Sequence, residues 1–383
     1  MKERYVALLL LFCLVFYNAQ GVLYAEGSVI SQLVLLVIHG IGSLYFIKTL
    51  LLKNKKDLFY KALTALLFLN LFGVILTGNL SNPLHFGMLK GVLMSLLVFY
   101  PFYYLSLKKL ISSKDLIVFA FVLIPICIAH FYLEHQQILS ERINDHTNVV
   151  NNTAYEMLWL LPFVFLIKKN KIVSVLLFLI VIFFIIQSAK RGAMFIAGVT
   201  LLFYIYYQLK TVSKKNRIRS YIFTFIGVLA VVYYTVDFFI QNEFLIERLQ
   251  KLDEGGYSGR DVIFTNLFNA WYYSESYINL LFGYGFASSL TLSGTGLLAH
   301  NDWLELLSGF GLLGVLIYLV LFYSGFKAVF MKAWNADKRI IMCVIMVMWF
   351  LSTVFSMGYT SGNGYLRAII LGYIFANRNK NFY

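Results

Sequence analysis

The chain has 383 residues, of which 60% are hydrophobic, 18% aromatic and only 13% charged, and its formal net charge is +14. A soluble domain of this length needs far more charge to cover its surface, so a water-soluble globular class is excluded. The basic excess does not indicate nucleic acid, because it lies in short loops between apolar runs instead of forming one clustered face.

The apolar residues arrive in blocks of roughly 16 to 24, the length at which a helix crosses the hydrocarbon of a bilayer. The first, Tyr5 to Leu23, follows Lys2 and Arg4 in the manner of a signal peptide. It is long and has no small-x-small cleavage site after a short apolar region, so it reads as a retained span. Further spans are predicted at 29–52, 62–78, 84–107, 116–133, 154–167, 172–189, 192–209, 221–240, 303–326, 340–357 and 364–376. The expected fold is all-α, a polytopic transmembrane helical protein with about twelve spans (ten to twelve), of which 154–167 and 364–376 are short. Three regions follow: an N-terminal bundle over 1–240 with about nine spans, a long loop over 241–302, and C-terminal helices over 303–383.

Charge tests the order of the spans. Alternate connections hold 24 of the 32 basic residues but only Glu3, Asp57, Asp115 and Asp337 among the 18 acids. Basic loops stay in the cytoplasm, which places both termini there. The outward connections are then 24–28, 79–83, 134–153, the turn at Lys190-Arg191, the segment 241–302 and 358–363. The long segment exceeds ordinary loop length. Phe244, Leu245, Arg248, Leu249 and Leu252 suggest a short amphipathic helix, and helical spacing returns over 261–280 after the turn at Glu254-Gly255-Gly256. Such helices lie on the membrane surface, roof a cavity between spans, or form a plain packed cap. Cys13, Cys127 and Cys343 sit within apolar segments with no metal-ligand spacing, so they read as packing residues and no metal or cofactor is expected.

Three outward positions run against the charge pattern. Lys190 and Arg191 interrupt two adjacent spans, where an anion, acidic partners or simple snorkelling of the side chains would hold them. Arginine offers a planar fork of donors and lysine a flexible point charge. Arg260 opens the helical part of the long loop, where a cation opposes the helix dipole, so either a buried carboxylate or a bound pyrophosphate is needed to explain it. His300 precedes Asn301-Asp302-Trp303-Leu304-Glu305, in which Asp302 and Glu305 have the spacing of a capping box. An imidazole at that helix start is placed to take a proton from a hydroxyl or to orient it. Between these positions, Phe282-Gly283-Tyr284-Gly285-Phe286 reads as a tight turn or a backbone anion nest, without the setting of a nucleotide-binding motif. Arg367, near the start of the last span, either faces the same cavity or is a structural intramembrane charge, as is Lys90.

The ordered set Ser188–Gly192, Gly259-Arg260, Leu281–Gly285 and His300–Glu305, followed by Gly309-Phe310-Gly311-Leu312-Leu313-Gly314, resembles the O-antigen polymerase and O-antigen ligase superfamily of bacterial integral membrane glycosyltransferases. The resemblance covers about 190–320. It implies a glycan donor linked through pyrophosphate to a polyprenyl carrier and used at the periplasmic face of the inner membrane, without a metal. By that resemblance Arg191 and Arg260 bind the pyrophosphate, His300 orients or activates the acceptor hydroxyl, and Lys190, Arg367, Asn301, Glu305 and Tyr284 contribute to substrate binding. The acceptor is a second lipid-linked repeat unit in a polymerase, with a chain-length regulator as a further partner, or lipid A–core in a ligase. Composition favours the polymerase. A transporter or flippase of a lipid-linked glycan stands as the reading from another class.

Overall fold

The computed structural model describes residues 2–53, 56–142, 151–211, 217–241, 260–331 and 334–377. Among these the regular elements are all helices, apart from one isolated bridge between Gln20 and Tyr24. The helices are α1 (Lys2–Asn18), α2 (Val29–Leu50), α3 (Leu58–Thr77), α4 (Pro83–Val92), α5 (Phe99–Leu107), α6 (Ser113–Arg142), α7 (Thr153–Val164), α8 (Lys171–Gln187), α9 (Arg191–Thr211) and α10 (Arg217–Gln241). Three short helices follow, α11 (Arg260–Tyr272), α12 (Tyr277–Phe282) and α13 (Ser289–Leu292). The chain returns to long helices with α14 (Asp302–Val329), α15 (Ala336–Phe355) and α16 (Gly364–Ala376). Each apolar run marked in the sequence falls mainly on helix, although 19–23 of the first run lie beyond α1, and the run over 84–107 is divided by a π-turn at Leu93–Leu97. Seven helical stretches among the described residues are long and apolar enough to cross a membrane, so the protein is a helical membrane protein. The amphipathic helix expected over 244–252 lies outside the described residues.

Local chemistry sets many helix starts. Ser28, Asp57, Asn82, Asn170 and Asn335 each accept a hydrogen bond from an amide in the first turn of α2, α3, α4, α8 and α15, satisfying donors that the helix leaves open. Pro83 follows its cap at the first helical position, where its missing N–H costs nothing.

The two short apolar runs have a common explanation. Every residue of α16 is buried, and so are ten of the twelve in α7. These helices are surrounded by protein on all sides, whereas α2 turns Val29, Leu33 and Leu36 outward. A helix enclosed by others need not match the full lipid thickness.

Inside α14, Gly311 leaves helical geometry at φ 59°, a conformation glycine adopts without steric cost. Beside this break, the amides of Tyr284 and Gly285 donate to the carbonyls of Ser308 and Gly309, at 2.8 and 2.9 Å. The glycine-rich turn is therefore a clamp on the broken helix, its amides already engaged, and the alternative of an anion nest falls away.

The connections sort into two groups by their contacts. At the Lys-rich end, Arg4 pairs with Asp115 at 2.6 Å, Lys48 with Glu3 at 3.0 Å, and Lys168 with Asp337. All three pairs join connections that the charge pattern assigns to one side. At the opposite end, Thr77 Oγ1 accepts the Phe286 amide at 2.8 Å and Asn151 N donates to Ser188 O at 3.1 Å.

Candidate functional site

The helix start at Asn301 organises one wall of the site. Asn301 Oδ1 accepts from the amides of Trp303 and Leu304, so the cap falls one residue before the expected Asp302. Glu305 reaches back to the Ala299 amide at 3.1 Å and also accepts from Ser289 Oγ at 2.8 Å. His300 is thus held between two tethered neighbours, in a left-handed conformation at φ 50° that is uncommon for a side chain with a Cβ. Its ring is half-buried and makes no hydrogen bond among the described residues. Burial lowers its pKa below the ordinary imidazole value, and the nearby charges of Arg260 and Lys190 push in the same direction. At neutral pH the ring is uncharged and able to accept a proton.

Asp302, freed from capping, becomes an anchor. It is fully buried and accepts from Tyr318 Oη at 2.6 Å, Gly358 N at 2.8 Å and Tyr359 N at 3.2 Å. Gly358 is held from its other side as well. Its carbonyl accepts from Arg367 Nη2 and from Ser95 Oγ, each at 3.1 Å. The connection after α15 is therefore suspended between a carboxylate on α14 and a guanidinium on α16.

Arg367 itself is 1% exposed. Its guanidinium carbon lies 3.8 Å from the ring centroid of Trp349 and 5.2 Å from that of Trp159, close enough for cation–π attraction. Nη2 also donates to Ser95 Oγ at 2.6 Å, while Nη1 is buried with no hydrogen-bond partner among the described residues.

The other cations come from two separate segments. Ala189 adopts φ 54° and turns the chain from α8 into α9, bringing Lys190 Nζ to 2.6 Å from Asn152 Oδ1. Arg191 begins α9, and its Nη1 is buried without a hydrogen bond among the described residues. The tight approach needs Gly192, where a Cβ would stand 2.7 Å from Tyr155 Oη and 2.9 Å from Phe355 Cβ. Arg260 begins α11 and donates through Nη1 to the Phe355 carbonyl at 3.1 Å, the last residue of α15. A cation is favourable at that helix end, so a helix C-terminus takes the place of the buried carboxylate considered for Arg260. Among the described residues this is its one hydrogen bond.

These segments meet around a cavity of about 190 Å³ lined by Asn152, Tyr155, Trp159, Ser352, Ser356, Met357, Gly358, Ser361 and Asn363. Tyr155 and Trp159, one turn apart on α7, present aromatic surface. The serine and asparagine side chains present neutral donors and acceptors. This is the chemistry that holds a sugar, whose ring carries both apolar C–H faces and hydroxyls. Lys190 touches the cavity wall through Asn152, Arg260 through Phe355 beside Ser356, and Arg367 through Gly358 and Trp159.

Of the residues marked in the sequence, His300, Arg260 and Lys190 are brought within electrostatic reach of one another, and Arg191 adjoins them in the same turn as Lys190. Asn301 and Glu305 use their side-chain oxygens on backbone amides and Ser289. Tyr284 donates its hydroxyl to the Ala270 carbonyl at 2.6 Å, tying the glycine turn to α11. The lining residues of α7 and of 352–363 had not been marked. The polar run Asn151-Asn152-Thr153 ahead of Tyr155 and Trp159 was the available signal.

Neither a known protein-family profile nor any curated protein sequence matches this chain.

Proposed function

We propose that the protein is a membrane glycosyltransferase that uses a polyprenyl-pyrophosphate-linked glycan as donor, of the O-antigen polymerase and ligase kind. The observation that carries this reading is the attachment of Lys190 and Arg260 to the wall of a sugar-sized cavity of aromatic, hydroxyl and amide side chains, with His300 within their electrostatic reach. A transporter route would call for binding groups along a path through the bundle, whereas these cations sit together at one end.

In this reading Arg191, Arg260 and Lys190 bind the donor pyrophosphate, and the donor sugar occupies the cavity against Tyr155 and Trp159. His300 accepts or orients the acceptor hydroxyl. The acceptor oxygen forms a bond to C1 of the sugar on the face opposite the leaving group. The bond from C1 to the pyrophosphate oxygen breaks with its electron pair, inverting C1, and the hydroxyl proton passes to the neutral imidazole. Negative charge grows on the pyrophosphate as that bond lengthens, so donors already aimed at it stabilise the transition state more than the ground state. Cationic side chains here do the work that a divalent ion does in metal-dependent transferases. Asn301, Glu305, Tyr284 and Arg367 act by holding the site's walls.

The setting is the bacterial inner membrane, with about twelve spans, both termini cytoplasmic and the cavity open to the periplasm. The separation of basic loops and the contacts within each group of connections support that sidedness. We favour the polymerase, in which a second lipid-linked repeat unit is the acceptor and one carrier is released. The test is purified protein with polyprenyl-pyrophosphate oligosaccharide. Longer carrier-linked products identify a polymerase, and transfer only on addition of lipid A–core identifies a ligase. Absence of both products overturns the enzymatic reading.

A further inference from the structure

The short helices α11 and α12 leave an apolar face uncovered. α11 buries Ile263 and Leu267 on the side that packs with Ala299 and α14, whereas no residue of α12 is buried. Where the two helices join, Tyr272, Tyr273, Tyr277, Ile278, Leu281 and Phe282 are exposed, Tyr277 by 83% and Ile278 by 69%. An apolar cluster of this kind on a protein surface marks a site of contact. The stretch 261–299 holds no lysine or arginine, and its acids are Asp261 at the start of α11 and Glu275 in the turn between the helices.

The long helices that hold this hairpin fix its height in the bundle. A Cβ on Gly283 would stand 2.4 Å from the backbone of Gly309 and Phe310, one on Gly311 would stand 2.6 Å from Leu281 C, and one on Gly285 would stand 2.3 Å from Thr77 Oγ1. Gly311 lies about 27 Å along α14 from its Lys-rich end at Val329, and Thr77 about 28 Å along α3 from Leu58. The hydrocarbon of a bilayer is about 30 Å thick. Both helices therefore place the glycine turn and the end of α12 at the edge of the hydrocarbon nearest the cavity. Asp302 stands about 13 Å farther along α14, level with the headgroups. Irregular backbone at the hydrocarbon edge must have its amides satisfied by protein, and here they are. The Tyr284 and Gly285 amides donate to Ser308 and Gly309 carbonyls, the Phe286 amide to Thr77 Oγ1, and Trp271 Nε1 to Leu280 O at 3.0 Å.

We propose that the α11–α12 hairpin is seated in the bilayer leaflet at the cavity end, with its exposed face among the glycerol groups and first methylenes of the lipids. Tyrosine suits that boundary, because its ring is apolar and its hydroxyl reaches the polar layer, while Ile278, Leu281 and Phe282 gain by leaving water. The occupant is lipid because the face stands at the height where lipid changes from apolar to polar, and its own composition changes in the same way. The seating has a consequence for the cations. Arg260 begins α11 about 18 Å from the end that the lipid holds, so the hairpin sets the level at which Arg260 stands above the hydrocarbon. The placement is independent of the transferase reading, because it is measured without turnover.

The experiment places a maleimide-linked NBD fluorophore at Ile278→Cys in the full-length protein, reconstituted in phosphatidylcholine vesicles. Cys343→Ser supplies the background, since Cys13 and Cys127 are buried. Leu281→Cys is the second position on the face, and Thr295→Cys, in an exposed turn, is the control. Emission is quenched either by phosphatidylcholine bearing a nitroxide near the head of its acyl chain or by iodide in the water on both sides. The expected result is loss of emission to the nitroxide lipid and protection from iodide at 278 and 281, with the reverse order at 295. Loss to iodide at 278 and 281 equal to that at 295 overturns the proposal. Protection from both quenchers at 278 and 281 overturns it too, by assigning the face to a protein contact such as a second copy of the chain.

Discussion

The two ends of the bundle treat their cations differently. At the Lys-rich end, Arg4, Lys48 and Lys168 each meet a carboxylate from a different connection. At the cavity end, Arg191, Arg260 and His300 have no carboxylate within ion-pair distance among the described residues. Arg260 is steadied by a carbonyl at a helix end, and His300 by the tethering of its neighbours. Paired charges join loops and have their field largely cancelled, whereas cations without anions keep their field for a ligand. The same kinds of side chain thus serve as fasteners at one end and, in the function proposed above, as a receptor for negative charge at the other.

The sharpest test of that contrast is removal of a cavity cation. Arg260→Ala and Arg191→Ala should each lower turnover of polyprenyl-pyrophosphate oligosaccharide by about 10²- to 10³-fold, the usual cost of deleting a donor to a charge that develops in the transition state. Retained turnover in both, with folded protein in the membrane, would break the comparison. His300→Ala should cost on the order of 10²-fold. Since the neutral ring is the active form, activity falls as pH drops through its pKa, and burial with Arg260 and Lys190 nearby lowers that pKa. The acid limb of the rate profile should therefore lie below about 6.5, the ordinary imidazole value, and disappear in His300→Gln. A limb unchanged in that variant would remove His300 from the proton transfer.

Asp302 comes next, because it tests the framework and not the chemistry. Asp302→Ala leaves the amides of Gly358 and Tyr359 without their acceptor and should destabilise the detergent-solubilised protein by about 2 kcal/mol, read as a lower melting temperature. An unchanged melting temperature would show that the 356–363 connection is held by other means. The smallest effect belongs to the fasteners. Lys168→Ala and Asp337→Ala should change stability by less than about 1 kcal/mol and leave turnover intact, with the coupling measured by a double-mutant cycle. A turnover loss as large as that of Arg260→Ala would erase the distinction between the ends.

How much of this was legible in order of residues depends on the range over which each feature is decided. Apolar runs and the segregation of lysines are local or follow directly from the membrane, and they could be read directly. The oddity of Lys190, Arg191 and Arg260 was visible for the same reason, as cations on the acid-rich side. Asp302 shows the limit. Its spacing to Glu305 fits a capping box, yet Asn301 next to it is equally able to cap, and the backbone angle that chooses between them comes from the surrounding packing.

The amino-acid sequence by itself determined an all-helical membrane protein, the positions of its apolar helices and two chemically unlike ends, because hydropathy and charge act on each segment alone. The tertiary structure decided that α7 and α16 are interior, that Arg260 caps a helix nearly a hundred residues away, and that Asn152, Tyr155 and Trp159 share a cavity with Ser352–Asn363. Serines, asparagines and aromatics are common in such helices. Which of them face one another is set by the packing of whole helices, and that depends on every contact in the bundle at once.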